Sequence, residues 1–141
     1  MEPVKSSILV VEDEEDVRSG IVSVLSGDYE VTEAGSVGQA TAVFKKGLFD
    51  VALLDIRLPD GSGIDLLKKL KSIDPDTVYI MATAFKDLDM TIESMKSGAD
   101  NYITKPFTAN EIKTAVRRPL EVRRHKLALD MMIKELQNQA R

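Results

Sequence analysis

Five short apolar runs alternate with stretches of helical character along this 141-residue chain. A near-continuous apolar run such as SILVV (7–11) is typical of a strand that is buried on both faces. Alternation of strands and helices requires a parallel sheet with right-handed crossovers and helices on both of its faces. We therefore predict an α/β fold with strands over residues 7–11, 30–34, 51–55, 77–83 and 101–103.

Apolar residues at helical spacing predict a helix after each strand. Ser36 is the predicted N-cap of the second helix, which is expected to run to about Lys46. The fourth helix is predicted over residues 87–97, with Ile92 and Met95 facing the core.

The amino-acid composition excludes several classes of protein. Hydrophobic residues make up 43% of the chain, which suffices for a core, and there is no cysteine to form disulfides or thiolate metal sites. The amino terminus lacks the apolar core of a signal peptide, and no apolar run approaches the roughly 20 residues that span a membrane. We expect a cytoplasmic protein without a membrane partner.

Charge is distributed unevenly along the chain. Residues 117–141 contain seven Lys or Arg and three Asp or Glu, so this segment carries +4 whereas the whole chain carries −4. The segment has neither a nucleic-acid-binding motif nor aromatic stacking residues. We interpret it as a solvated helix face and expect no direct nucleic-acid binding by this region.

Polar residues with matching chemistry stand at the ends of four predicted strands. Glu12 and Asp13 follow the first strand, Asp55 closes the third, Thr83 closes the fourth, and Lys105 follows the fifth. The carboxyl ends of parallel strands meet at one edge of the sheet, where open α/β sheets bind their ligands. Together these residues suggest a site that takes up a phosphoryl group.

Each of these residues also has a simpler interpretation. Glu12 and Asp13 would stabilise the amino end of the first helix, Thr83 would be an ordinary strand residue, and Lys105 a surface lysine. Neighbouring carboxylates, however, raise the pKa of one of them or recruit a cation. A set of oxygen ligands favours Mg²⁺ over zinc. Asp55 is then either a further metal ligand or a nucleophile that forms an aspartyl phosphate.

Four short motifs carry a resemblance to a known family. The sequence resembles the receiver domain of two-component response regulators, which has the CheY-like (flavodoxin-like) fold. This resemblance covers about residues 5–118 and implies the strand order 2-1-3-4-5. The motifs are ILVVEDE (8–14), VALLDIRLPDGSG (51–63), MATA (81–84) and GADNYITKPF (98–107).

The resemblance implies a role for each strand-end residue. Asp55 accepts a phosphoryl group from a partner histidine kinase, and Thr83 and Lys105 contact that group. The peptide bond between Lys105 and Pro106 is expected to be cis. Mg²⁺ is the implied cofactor, and its implied ligands are Asp13, Asp55, the backbone carbonyl of Arg57 and, through water, Glu12.

The resemblance also implies how phosphorylation changes the surface. Thr83 moves toward the phosphoryl group, and Tyr102 turns inward behind it. The surface expected to change is residues 87–118, which hold the fourth helix, fifth strand and fifth helix (α4-β5-α5). Arg57 lies two residues after Asp55, and we expect it at the mouth of the site, where it influences the lifetime of the phosphoryl group.

Residues 119–141 lie beyond the predicted receiver domain of 5–118. Apolar residues follow a three-four spacing along this segment, which is typical of a coiled coil. Pro119 removes a helical hydrogen bond, so we expect a kink or a new helix that starts there. The segment resembles the linker that joins a receiver to an output domain. The motif RLPDGSG (57–63) and the long helix resemble those of NtrC-type transcription activators. We expect a homodimer through this segment or through α4-β5-α5.

Other functions are disfavoured by particular residues. We expect a receiver that switches on phosphorylation and is not an enzyme acting on external substrates. A Mg²⁺-dependent phosphohydrolase would carry a second Asp where this chain has Arg57, and residues 12–16 would repel the phosphate of a flavodoxin-like cofactor. A degenerate receiver used only for protein contacts would not need the full set of Asp13, Asp55, Thr83 and Lys105.

Overall fold

A five-stranded parallel sheet forms the centre of the molecule. The computed structural model describes residues 5–140, apart from the side chain of Phe85. The strand order is β2-β1-β3-β4-β5, which confirms the predicted order 2-1-3-4-5. The strands are β1 (Ser6–Val11), β2 (Tyr29–Ala34), β3 (Val51–Asp55), β4 (Val78–Ala84) and β5 (Asn101–Lys105).

Five α-helices connect or follow these strands, as predicted. A 3₁₀ turn, Phe85–Asp87, precedes the fourth helix. Among the described residues, no helix combines the length and the apolar character needed to cross a membrane. The helices are α1 (Glu15–Leu25), α2 (Val37–Val43), α3 (Gly63–Ile73), α4 (Leu88–Lys96) and α5 (Ala109–Gln139).

Two apolar layers cover the two faces of the sheet. In β1, Leu9 and Val11 face one layer, which includes the apolar side of α3, whereas Ile8 and Val10 face the other layer, which includes α1 and α5. Successive strand side chains point to opposite faces. Because both faces of β1 are buried, its sequence is a continuous apolar run without alternation.

Helix α2 is shorter than predicted. Ser36 is its N-cap, because its hydroxyl accepts the Gln39 N–H at 3.1 Å, but the helix ends at Val43 and not near Lys46. Phe44 adopts an extended conformation (φ −77°, ψ 129°) and stacks on Phe49 with 5.8 Å between ring centroids. The Phe44 ring is buried in the core, and this burial ends the helix at Val43, although the local sequence would allow the helix to continue.

The predicted inward face of α4 was wrong. Ile92 and Met95 are 47% and 39% exposed, whereas Thr91 and Ser94 are buried. The hydroxyl of Thr91 donates to the Asp87 carbonyl at 3.0 Å, and that of Ser94 donates to the Met90 carbonyl at 2.9 Å. The hydroxyl groups on the side of α4 that faces the protein are therefore hydrogen-bonded to backbone carbonyls. The apolar side of α4 is exposed to solvent.

Helix α5 continues through Pro119, so of the two expectations the new helix was wrong, and the kink stays a prediction. A proline inside a helix leaves the carbonyl four residues earlier without its helical N–H partner. That carbonyl belongs to Ala115, and it accepts a hydrogen bond from the Asn101 side-chain amide at 3.3 Å. Leu120, in the next position after the proline, is buried in the core. A tertiary hydrogen bond and apolar burial thus offset the cost of the proline.

Arg123 anchors α5 to the amino edge of the sheet. Its guanidinium donates to the Asp50 carboxylate at 2.7 Å and to the carbonyls of Asp50 and Asp76 at 3.2 and 3.0 Å. The other carboxylate oxygen of Asp50 accepts the Ser7 N–H at 2.9 Å. The direction in which α5 leaves the domain is therefore set by contacts with the sheet that lie beyond residue 118.

We predict that Arg123→Met lowers the free energy of unfolding by about 1–2 kcal/mol, because it leaves the acceptors on Asp50 and Asp76 without their donor. The matched control is Arg117→Met on the same helix. Arg117 is exposed and lies 4.0 Å from Glu121, so this change should stay within about 0.5 kcal/mol. Urea denaturation measures both, and equal losses in the two variants would contradict the anchoring role.

Candidate functional site

The strand-end residues meet at the carboxyl edge of the sheet. Glu12 and Asp13 follow β1, Asp55 ends the adjacent β3, and Lys105 ends β5. One carboxylate oxygen from each of the three acids lies within 4.8 Å of the others. The structure therefore places in one cluster the residues that are separated by up to 93 positions in the chain.

Lys105 joins two of these acids. Its ammonium group donates to Glu12 Oε2 at 2.9 Å and to Asp55 Oδ2 at 3.1 Å. The peptide bond from Lys105 to Pro106 is cis, as the resemblance implies. A single cation thus bridges two carboxylates whose like charges would otherwise repel each other.

The protonation equilibria of the cluster are shifted by these neighbours. Burial and the nearby Asp55 carboxylate raise the pKa of Glu12 to about 7, although Lys105 acts in the opposite direction. Burial alone would lower the pKa of Lys105, but its hydrogen bonds and charge contacts with Glu12 and Asp55 outweigh that effect and raise it. Burial and the neighbouring Asp55 carboxylate therefore favour the protonated form of Glu12.

The cluster also has an acceptor that is ready for a metal ion. Within the described part of the chain, Glu12 Oε1 is buried and has no hydrogen-bond partner. A buried carboxylate oxygen without a donor requires an ion or a water molecule to satisfy it. The three carboxylates supply the oxygen ligands that hard divalent cations prefer, so the donor set fits Mg²⁺.

The loop after β3 holds Asp55 in place. Its Oδ1 accepts the backbone N–H of Arg57 at 3.3 Å. Gly63, the first residue of α3, lies so close to this strand end that a Cβ there would come 2.0 Å from the Asp55 carbonyl oxygen. The Gly63 N–H also donates to the Ile56 carbonyl at 2.7 Å. Close contact between the two backbones thus fixes the carboxylate.

A second contact ties the same loop to α2. The carboxylate of Asp60 accepts the N–H groups of Val37 and Gly38 at 2.8 and 2.9 Å, and these hydrogen bonds lower the pKa of Asp60. The loop also contains an antiparallel ladder of two-residue strands, Arg57–Leu58 and Gly61–Ser62, which no sequence pattern predicted. Asp60 and Gly61 together are typical of a turn. Nothing in the sequence, however, indicates that the Asp60 carboxylate binds the distant backbone N–H groups of Val37 and Gly38.

Arg57, which was expected at the mouth of the site, binds Asp87 with its exposed side chain. Its Nε lies 3.2 and 3.1 Å from the two carboxylate oxygens of Asp87, and its Nη2 lies 2.7 Å from Oδ1. The Arg57 guanidinium lowers the pKa of the Asp87 carboxyl. The local sequence identified Asp87 only as the start of a helix, because a partner 30 residues away in the chain leaves no local pattern.

Thr83 and Tyr102 border a common cavity. Thr83 is buried at the end of β4, whereas Tyr102 on β5 is 46% exposed and points away from the core. The cavity between them has a volume of about 190 Å³. Its lining residues are Thr83, Ala84, Leu88, Thr91, Tyr102 and Thr104.

Comparisons with known proteins agree with this geometry. The family model described as the response regulator receiver domain matches residues 8–117. The chain is similar to the DNA-binding transcriptional activator DevR/DosR of Mycobacterium tuberculosis, with 38% identity over 78% of this chain and 52% of that protein. It is also similar to the C4-dicarboxylate transport transcriptional regulatory protein DctD of Rhizobium meliloti, with 29% identity over 84% of this chain and 26% of that protein.

A solved structure shows the same fold. The CheY-like receiver domain protein of Methanospirillum hungatei JF-1 superposes with a TM-score of 0.82 and 30% identity, and the match covers 87% of this chain and 99% of that one. The match to DctD agrees with the predicted similarity to NtrC-type activators. The chain spans about half the length of DevR/DosR and about a quarter of that of DctD.

We predict that Gly63→Ala destabilises the domain by about 1–3 kcal/mol, because the added methyl group collides with the backbone of Asp55. Gly20→Ala is the matched control. Gly20 lies within α1 with nothing within 4 Å of its Cβ position, so alanine there should raise the free energy of unfolding by about 0.5–1 kcal/mol. Thermal or urea unfolding measures both changes, and a neutral Gly63→Ala would contradict the close packing.

Proposed function

Since the chain belongs to the response regulator receiver family, we propose that Asp55 accepts a phosphoryl group from a histidine kinase. The observation that carries this proposal is the bridging of Glu12 and Asp55 by Lys105 at the carboxyl edge of the sheet. Phosphoryl transfer depends mainly on positioning and charge neutralisation. Both are available at Asp55, whose carboxylate is oriented by a backbone N–H and contacted by a cation.

The transfer forms one bond and breaks one bond. A carboxylate oxygen of Asp55 attacks phosphorus, and the bond from phosphorus to the imidazole nitrogen of the kinase histidine breaks. The departing imidazole keeps the electron pair and takes up a proton. Lys105 stabilises the negative charge on the phosphoryl oxygens, and Thr83 supplies a hydroxyl donor at the adjacent strand end.

The acidic cluster would hold Mg²⁺. Asp13 and Asp55 would bind it through carboxylate oxygens, Arg57 through its backbone carbonyl, and Glu12 through water. The unsatisfied Oε1 of Glu12 and the mutual approach of the three acids support this assignment. When bound, the ion neutralises charge on the phosphoryl oxygens.

The proposed switch uses the cavity beside Thr83. The phosphoryl charge favours a conformation in which Thr83 and Lys105 close on it, and Tyr102 moves into the space that Thr83 leaves. The surface that reports the change is α4-β5-α5. It already exposes Leu88, Ile92 and Tyr102, which is the apolar character of a protein-binding surface.

Turnover of external substrates is not part of this proposal. Arg57 stands where an aspartyl phosphohydrolase would place its acid or base, and its side chain is bound to Asp87. A degenerate receiver used only for protein contacts remains the second candidate, and phosphorylation tests it directly. We further propose a cytoplasmic protein in which this region does not itself bind nucleic acid and instead controls an output domain of the kind that longer relatives contain.

We also propose that α5 joins two copies of the chain. Every described side chain from residue 124 to 140 is exposed. A lone amphipathic helix without a partner is marginal in water. Its apolar stripe follows the spacing of a coiled coil, which a second copy would cover. The stripe contains Val122, Leu129, Ile133, Leu136 and Ala140, and Lys126 interrupts it between Val122 and Leu129.

We predict that incubation with Mg²⁺ and a small acyl phosphate adds one phosphoryl group to the wild-type chain and none to Asp55→Asn. Intact mass spectrometry measures the gain, and a chelator should abolish it because the acidic cluster then lacks its cation. The matched control is Asp65→Asn on the exposed side of α3, which should gain one group. No gain in the wild type would favour the degenerate receiver, and an equal gain in Asp55→Asn would place the acceptor elsewhere.

We predict that Ile133→Lys lowers the molar mass measured by light scattering to that of a monomer, because a charge would enter the apolar stripe. Met131→Lys is the control. Met131 is 72% exposed and lies off the stripe, so its replacement should leave the mass unchanged. A monomeric wild type at all concentrations, or equal effects of both substitutions, would contradict a dimer through α5.

A further inference from the structure

The Arg57–Asp87 ion pair connects the phosphoryl site to α4. Arg57 follows Asp55 by two residues, and its backbone N–H already contacts the Asp55 carboxylate. Asp87 ends the 3₁₀ turn that leads into α4, and its carbonyl accepts the Thr91 hydroxyl at 3.0 Å. One ion pair therefore joins the loop that carries the reacting carboxylate to the first turn of the helix on the switch surface.

The two partners differ in their freedom to move. The side chain of Arg57 is 63% exposed, whereas that of Asp87 is 4% exposed. The carboxylate is held in place by the turn, and the guanidinium can leave into solvent. If the cation left, Asp87 would be a nearly buried charge without its partner, which is strongly unfavourable.

Helix α4 packs one apolar side chain of its first turn, Met90, against the core. Its buried positions include Thr91 and Ser94, whose hydroxyls bond to carbonyls of the same segment and not to another element. Its apolar residues Leu88 and Ile92 are in solvent. The Arg57–Asp87 pair and the Met90 contact with the core therefore both hold the start of α4, and only the ion pair also reaches the phosphoryl site.

We propose that phosphorylation of Asp55 draws Arg57 away from Asp87 and so releases the first turn of α4. This inference rests on the proposed function, because it needs a phosphoryl group on Asp55. That group carries more negative charge than a carboxylate and offers several acceptor oxygens, which suit the planar guanidinium. Asp87 is thereby a positioning residue, which acts on the phosphoryl site only through Arg57.

Hydrogen–deuterium exchange of α4, followed by mass spectrometry, tests the release. Asp87→Asn in the unphosphorylated state should exchange the amides of residues 88–96 roughly five- to tenfold faster than the wild type. Phosphorylated wild type should show a similar acceleration, and phosphorylation of Asp87→Asn should add little. The matched control, Asp89→Asn, removes an exposed carboxylate two residues away and should behave as the wild type in both states.

A second variant keeps the test decisive if Asp87→Asn does not fold. Arg57→Gln removes the cation from the exposed side, and it should accelerate exchange of α4 without phosphate in the same way. Wild-type exchange of α4 in both variants would overturn the proposal, as would a phosphorylated wild type whose α4 exchanges no faster. Intact mass of the same samples separates the two hypotheses. A phosphoryl gain with unchanged α4 overturns the release alone, whereas no gain overturns the proposed function and the release with it.

Discussion

The contact of one ammonium group with two carboxylates organises the carboxyl edge of this protein. Lys105 lies 2.9 Å from Glu12 and 3.1 Å from Asp55, and without it three acids from two adjacent strand ends would repel one another. The same arrangement suits the proposed phosphoryl transfer, because a cation is already placed beside Asp55, the proposed acceptor. The crowding of acids at this edge thus explains both why Lys105 stabilises the structure and why it is placed for the proposed chemistry.

The amino edge of the sheet is organised by a second cation. Arg123 from α5 binds Asp50 and the Asp76 carbonyl, and Asn101 satisfies the Ala115 carbonyl that Pro119 leaves free. These contacts make α5 one continuous helix whose direction is set by the sheet.

The prediction for α4 failed for a physical reason that bears on function. Apolar residues at helical spacing mark the face that would normally be buried. In α4 that face carries Ile92 and Met95 and lies in solvent, while Thr91 and Ser94 face inward and bond to nearby carbonyls. Periodicity reveals that a helix has an apolar side, but it does not specify whether the same chain or a partner covers that side.

The sequence by itself determined the alternation of strands and helices, the parallel sheet and the residues at its strand ends. Continuous apolar runs indicate strands that are buried on both faces. Because the carboxyl ends of parallel strands lie at one edge of the sheet, Glu12, Asp55 and Lys105 could be grouped before any contact was known. The tertiary structure alone decided the contacts between segments distant in the chain. Arg57 with Asp87, Gly63 against the Asp55 carbonyl, and Asn101 with Ala115 depend on distances across loops and layers. Local propensity and periodicity describe only near neighbours and contain no such distances.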